Sequence, residues 1–261
     1  MRAAYGFGLF PLPSYRDAVV GDWRLVRYGP APVDGYLPGV VMEPWRWVLH
    51  QGSTPWMSTS LMEQESHAWH VHQAQGTVVA AGLGMSMYAY AASIRPEVER
   101  VVVVERSPDV IAVLGEAAGL VDWPGREKVA IVEADALGRD VAARVEAATG
   151  GREPDYLYAD IWPDCGAAEA PAETAAMVRA LRPRAAGWWG QELSFGLWCR
   201  KAEREPDEPA LRDYFASTGI PVPVTPGYAA FCADVIAGRL PRRRWPAIAR
   251  LWARLRGSPR P

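Results

Sequence analysis

What this chain lacks narrows the field first. Its three cysteines, Cys165, Cys199 and Cys232, are odd in number, far apart and form no CxxC pair. That excludes a disulfide framework and a zinc ribbon, and it suits a reducing cytoplasm. Neither a phosphate-loop GK[ST] nor an HExxH is present, so no P-loop nucleotide site and no bound metal are expected. Charge of one sign is missing too. Twenty-eight basic and 30 acidic residues give a net charge of −2 over 261 residues, and no global field advertises nucleic acid. Residues 73–94 carry no charge, yet Gln73, Gln75, Gly76, Gly82, Gly84 and Ser86 interrupt them, so strand, turn and helix fit better than a membrane span. The opening MRAAYGFGLFPLP is too short and too proline-interrupted for a signal peptide. A soluble, cytoplasmic protein with no membrane partner is the expectation.

Tryptophan, by contrast, is abundant. Twelve tryptophans in a chain that is 49% hydrophobic and 22% charged exclude a disordered chain and require rings that are buried, stacked or presented to a ligand.

Three segments follow from the patterning. Residues 1–74 are rich in aromatic, proline and glycine residues. Runs such as Trp23-Arg24-Leu25-Val26-Arg27-Tyr28 and Trp45-Arg46-Trp47-Val48-Leu49 alternate like half-exposed strands, with Gly29-Pro30 and Leu37-Pro38-Gly39 as turns. A small β-rich extension ending in a helix over 62–73 is expected. Residues 75–238 alternate short apolar runs with helical patterns. Strands are expected at 77–81, 101–104, 129–132, 156–159 and 185–189, and helices at 88–93, 107–118, 136–148 and 172–181, with a mostly helical stretch beyond 194. Ser107 with Pro108 is a helix start, and Val110, Ile111, Leu114 and Ala118 form its apolar face. Repeated βα units of this spacing make an α/β chain with a Rossmann-like, doubly wound, mostly parallel sheet that binds its ligand at the carboxyl ends of the strands. Residues 239–261 hold eight arginines and no acid, with Trp245, Ile248, Leu251, Trp252 and Leu255 on one face of an expected basic amphipathic helix. That tail and the β extension are candidate homodimer surfaces.

The chemistry begins at Ala80-Ala81-Gly82-Leu83-Gly84-Met85-Ser86, a glycine turn between strand and helix. Glycine there lets the backbone turn tightly and approach a ligand. Glu105 ends the next strand twenty-one residues after Gly84, where a carboxylate accepts hydrogen bonds from a ribose diol. Glu133-Ala134-Asp135 ends the third strand, where an adenine edge is met. A dinucleotide site would carry a third glycine at position 87, which is Met87. An adenosyl ligand without phosphates fits better, and S-adenosylmethionine is the expected one.

The run GTVVAAGLGMSMYAYAA…VERVVVVERSPDVI…KVAIVEADAL…PDYLYADIW resembles class I S-adenosylmethionine-dependent methyltransferases. Within them it is most similar to the spermidine synthase-like branch. The resemblance spans residues 76–162, with a looser echo in the preceding extension and its helix. It implies that Gly82, Leu83 and Gly84 line the methionine and ribose, that Glu105 with Arg106 holds the ribose hydroxyls, and that Asp135 with Ala136 faces the adenine. Ala80 replaces the family's usual acid and Ser86 the third glycine of its turn. Polyamine synthases carry two closely spaced acids after the fourth strand, whereas Asp160-Ile161-Trp162-Pro163-Asp164 has one extra residue between them.

Asp160 falls where the fourth strand ends, beside the transferred group in such a sheet, and is the catalytic candidate. It would orient an acceptor or take its proton. Trp162 and Asp164 are candidate substrate contacts, as are Gln191 (or its neighbour Glu192) and, on the covering helix, Glu63, His67 and His70. The tryptophans divide accordingly. Trp23, Trp45, Trp47, Trp56 and Trp69 belong to the cover, Trp162, Trp188 and Trp189 lie near strand ends, and Trp123, Trp198, Trp245 and Trp252 are expected to be structural. A methyltransferase acting on a small molecule, at an amine or another polar nucleophile, is the leading expectation. An aminopropyltransferase using decarboxylated S-adenosylmethionine is the second, and a non-catalytic adenosyl-ligand-binding protein the third.

Overall fold

The computed structural model describes residues 1–240; the arginine-rich segment, beyond its first two residues, lies outside the described residues. The alternating runs at the start of the chain form antiparallel pairs. After a short helix α1 (Arg2–Tyr5) come β1 (Ala18–Val20), β2 (Trp23–Tyr28), β3 (Ala31–Asp34), β4 (Val40–Glu43), β5 (Arg46–Gln51) and β6 (Thr54–Ser58). Four of these strands form a sheet ordered β1-β2-β5-β6, and β3 pairs with β4 as a separate hairpin. In the sheet Leu25 lies opposite Leu49 and both are fully buried, while the residue between them and the loops, Arg24, stays exposed. Strand β2 shows period-2 segregation over Trp23–Leu25, whereas Trp47, Val48, Leu49 and His50 of β5 are all buried, so that strand is covered on both faces rather than half-exposed as expected. Helix α2 (Leu61–Gln73) follows.

The remaining elements alternate: β7 (Gly76–Ala81), α3 (Met87–Ser93), β8 (Val98–Glu105), α4 (Pro108–Ala117), β9 (Val129–Glu133), α5 (Val141–Thr149), β10 (Tyr156–Ala159), α6 (Ala170–Leu181), β11 (Ala185–Trp188), α7 (Gln191–Ala202), α8 (Glu208–Thr218) and α9 (Pro226–Arg239). The five strands form one all-parallel sheet in the order β11-β10-β7-β8-β9, an α/β architecture compatible with a Rossmann-like fold. Val101–Val104 are excluded from solvent on both faces of the sheet, and burying such a side chain stabilises by roughly 1.5–3 kcal/mol. The strand order reverses between β7 and β10, and at such a point the loops leave in opposite directions and open a crevice at the carboxyl ends.

Local chemistry sets the element ends. Ser107 Oγ accepts the Val110 N–H at 3.2 Å, capping α4 with Pro108 at its first position. The buried face of that helix is Val110, Val113, Leu114 and Ala117, with Ile111 only half-buried. Helix α5 begins at Val141 rather than near 136. Asp135 Oδ1 accepts the Leu137 N–H at 2.9 Å and the Asp135 carbonyl accepts from Gly138, so a side-chain turn competes with the helix over those residues. Strand β11 stops at Trp188, although the Trp189 N–H still pairs with the Ala159 carbonyl.

Glu192 is fully buried at the start of α7 and accepts hydrogen bonds from Tyr36 at 2.9 Å and Tyr228 at 2.7 Å. Gln191 beside it accepts the Trp188 N–H and donates to Tyr228. These side chains tie the β-rich extension, α7 and α9 together. They are fastenings of the fold, a correction to their expected place against substrate. Among the described residues no helix is long and apolar enough to cross a membrane.

Candidate functional site

A cavity of about 400 Å³ opens at the carboxyl ends of β7, β8, β9 and β10, inside the roughly 300–1,000 Å³ usual for small-molecule sites. The glycine turn forms one wall. Gly82 has φ +96°, and a Cβ there would stand 2.0 Å from the Asp160 carbonyl oxygen, so only glycine lets β7 and β10 release their chains side by side. Gly84 (φ +49°) and Ser86 (φ 63°) are also left-handed. The turn therefore keeps the backbone that a third glycine would adopt, with serine in its place.

Glu105 ends β8 and faces the turn. Its carboxylate accepts the Leu83 N–H at 3.0 Å and the Ser107 N–H at 2.8 Å, bracing two loops while it lines the cavity. Arg106, Asp135, Ala136 and Asp160 line the same space. Leu83 contributes its backbone to the turn, but its side chain is buried away from the lining.

Behind Asp160 stands a buried polar group. His67 Nε2 lies 3.1 Å from Asp160 Oδ2, and Nδ1 lies 2.7 Å from the Glu63 carbonyl oxygen. Both ring nitrogens face acceptors, an arrangement that only the imidazolium satisfies with two N–H donors. Burial drives the His67 pKa down, but the hydrogen bond to Asp160, then the Asp160 and Glu63 charges, outweigh it and hold the value above the ordinary histidine range. Burial pushes the Glu63 carboxyl up to about 7, opposed by the charge on His67 and helped by that on Asp160. One Glu63 oxygen, Oε2, has no hydrogen-bond partner among the described residues.

This cluster makes stability depend on pH. Between the unfolded value near 4.5 and the folded value of about 7, folded Glu63 keeps a proton that the unfolded chain has lost, so rising pH destabilises through that window. The raised His67 value acts with the same sign, its stabilisation being lost as pH climbs past the folded pKa. Glu63→Gln is therefore expected to reduce the stability lost between pH 5 and pH 8 by about 2–3 kcal/mol. Urea melts of both proteins at the two pH values measure it, and equal losses would assign the slope to other groups.

The covering wall is aromatic. Trp23 and Trp56 meet edge to face with centroids 5.5 Å apart, and both line the cavity with Leu49, Gln51 and Met57. Trp162 and Trp189 close the β10 side. The Trp162 indole N–H donates to Glu173 at 2.6 Å and that of Trp189 to Ser66 at 2.9 Å. The other rings expected in the cover lie elsewhere. Trp45 is exposed, Trp47 packs near Tyr15, Trp69 stacks on Tyr228 at 4.1 Å, and Trp188 packs on Phe215.

Of the candidate substrate contacts, Trp162 alone lines the cavity. His67 and Glu63 lie one and two steps behind it, joined through Asp160. His70 is fully buried, stacked on Tyr158 at 4.3 Å and hydrogen-bonded to Tyr156 at 2.9 Å. Burial and the charge on His67 press its pKa well below the ordinary value, and it is a neutral core side chain. Asp164 is exposed outside the lining, and Gln191 is buried in the fold. Sequence reasoning missed Met57, Gln51, Leu137, Glu169 and Glu173 in the lining. None belongs to a motif: Gln51 comes from β5, Met57 from β6, Leu137 from the loop after β9, and Glu169 and Glu173 from the start of α6. Among the described residues no group of three or more His, Cys, Asp or Glu could hold a metal ion.

Among the described residues, five carboxylates (Glu105, Asp135, Asp160, Glu169 and Glu173) and one cation, Arg106, line the cavity. No protein-family model matches the chain, and no curated protein matches it significantly.

Proposed function

We propose that the protein transfers a methyl group from S-adenosylmethionine to a small polar nucleophile, an amine suiting the site best. The observation that carries this reading is Asp160, a carboxylate at the end of β10 backed by His67 at 3.1 Å, in one cavity with the Gly82–Gly84 turn, Glu105 and Asp135. The lining suits the ligand. A glycine cradle admits its backbone-proximal end, acids end β8 and β9, and the five carboxylates favour a sulfonium cation. A dinucleotide's pyrophosphate would meet those same carboxylates as like charges.

When bound, S-adenosylmethionine supplies a methyl group on a sulfonium, already a good leaving group. The chain's task is alignment and exclusion of water. Asp160 orients the acceptor's N–H and takes the proton released as the new N–C bond forms. His67 holds the Asp160 carboxylate in place with an N–H whose other ring partner is fixed on α2. Trp162 and Trp189, both nearly buried, wall the reacting end. The aromatic wall and the acids together suit a cationic acceptor, through cation–π contact and charge pairing. The three free cysteines accord with a cytoplasmic setting.

The same excess of acid favours a second reading, aminopropyl transfer from the more cationic decarboxylated ligand. Titration with S-adenosylmethionine, its decarboxylated form, S-adenosylhomocysteine and NAD separates these readings, and binding of NAD alone, or of none, refutes the proposal. Glu105→Ala is expected to weaken S-adenosylmethionine binding at least about tenfold, the cost of a lost charge-assisted hydrogen bond. Tight binding without turnover on amine, phenol and carboxylate panels would instead indicate a ligand-binding protein.

A further inference from the structure

Resting on the adenosyl reading, we infer that Met57 is a specificity-determining residue that stands on the seat of the ligand's α-carboxylate. Met57 projects from β6 of the antiparallel sheet across the cavity onto the glycine turn. Its Sδ accepts the Met85 N–H at 3.3 Å and lies 2.7 Å from where a Cβ on Gly84 would be. The space that glycine leaves open is thus filled by a thioether from the other sheet.

Three observations make this more than packing. A thioether is a weak acceptor, while a carboxylate receiving a backbone N–H makes the stronger, charge-assisted bond. Among the described residues the lining holds a single cation, Arg106, which follows Glu105 at the end of β8, so the partners they offer a carboxylate at the turn are backbone amides. The turn itself is fastened. The Met85 carbonyl accepts from Tyr15 Oη at 2.7 Å, the Ser86 N–H donates to the Leu83 carbonyl at 2.8 Å, and Met85 is fully buried. Any adjustment falls to Met57, an unbranched side chain that lines the cavity and is only half-buried.

An adenosyl compound with an amino-acid end must displace the Met57 sulfur from the Met85 amide, whereas one lacking that end leaves it in place. The residue therefore weakens, without abolishing, the binding of carboxylate-bearing ligands such as S-adenosylmethionine relative to decarboxylated or truncated ones. Calorimetric titration of the full chain and of Met57→Ala with S-adenosylhomocysteine and with 5′-methylthioadenosine, which has no amino-acid end, tests this. The substitution is expected to tighten S-adenosylhomocysteine binding about tenfold and to move 5′-methylthioadenosine by less than about twofold. Met57→Ser opens the same space and is expected to give the same split, which covers poor folding of the alanine variant. An unchanged S-adenosylhomocysteine affinity, or an equal change for both ligands, overturns the role of Met57 alone. Failure of both ligands to bind the unaltered protein overturns the adenosyl reading and this inference with it.

Discussion

Asp160→Asn is expected to lower turnover by about 10²–10⁴-fold, the usual contribution of a positioned proton acceptor, while adenosyl-ligand affinity changes by less than about threefold. The amide keeps the shape of the side chain and the path of the backbone, so the packing of the Asp160 carbonyl against Gly82 is retained. What it loses is the capacity to take a proton and the charge that faces His67 Nε2. The His67 imidazolium then faces a neutral amide in place of the carboxylate that most strongly raises its pKa, and the value falls under the burial that remains. Residual activity should consequently show a pH profile displaced from that of the unaltered protein. Single-turnover rates with a saturating adenosyl donor, read across pH, measure both effects. Wild-type rates with an unmoved profile would remove Asp160 from the chemistry and leave it as a residue of the turn.

The parallel sheet was legible because its strands are short apolar runs of Val and Ala between glycines and turns, a pattern that buried strands produce and amphipathic helices do not. Val78–Ala81, Val101–Val104 and Tyr156–Ala159 are excluded from solvent as that pattern requires. The expected start of α5 falls too early, because Ala136 and Leu137 carry helical propensity, while Gly138, Asp140 at the N-cap and one Asp135 side chain bonding to its own loop delay the helix to Val141. Nor does any periodicity announce the hairpin of β3 and β4, where exposure of Val40 and Met42 breaks the link between hydrophobicity and burial.

Within the site, legibility followed the backbone. Gly82, Gly84, Glu105, Asp135 and Asp160 sit at strand ends, and the sheet rule alone brings strand ends together. Side chains from α2 and the antiparallel sheet converge only through tertiary packing. An i,i+3 spacing puts His67 and His70 on one face of α2. It could not show that His67 meets Asp160 while His70 passes beneath Gly187 and between tyrosines. Among the described residues four tryptophans line the cavity and the other six are packing or surface. A ring's role depends on which neighbour it meets, as Trp188 and Trp189 illustrate: adjacent in sequence, one packs against Phe215 and the other lines the cavity.

The same backbone logic makes Gly82 the position least tolerant of change. Gly82→Ala is expected to destabilise the fold by about 3 kcal/mol or more, since a Cβ with no room must move main chain rather than a side chain. The obstacle at 2.0 Å is the Asp160 carbonyl oxygen, with its carbon at 3.0 Å, and both are held by the Asp160 N–H bonded to Ala81 at 2.8 Å. For a domain of this size that loss corresponds to a fall in Tm of roughly 6–12 °C. Gly84→Ala is the internal comparison. Its Cβ would meet only the Met57 sulfur and methyl, at 2.7 and 3.4 Å, which are the far end of a flexible side chain. The penalty should then be close to that of a left-handed alanine, about 1–2 kcal/mol. Thermal and urea melts of the two variants side by side give the ordering. A Gly84→Ala penalty equal to or above that of Gly82→Ala would mean that the close approach of β7 to the Asp160 carbonyl does not hold the turn in place. The displaced Asp160 adds a functional signature: any folded fraction of Gly82→Ala should lose turnover to nearly the extent of Asp160→Asn, because the carboxylate and the glycine turn are positioned by one backbone contact.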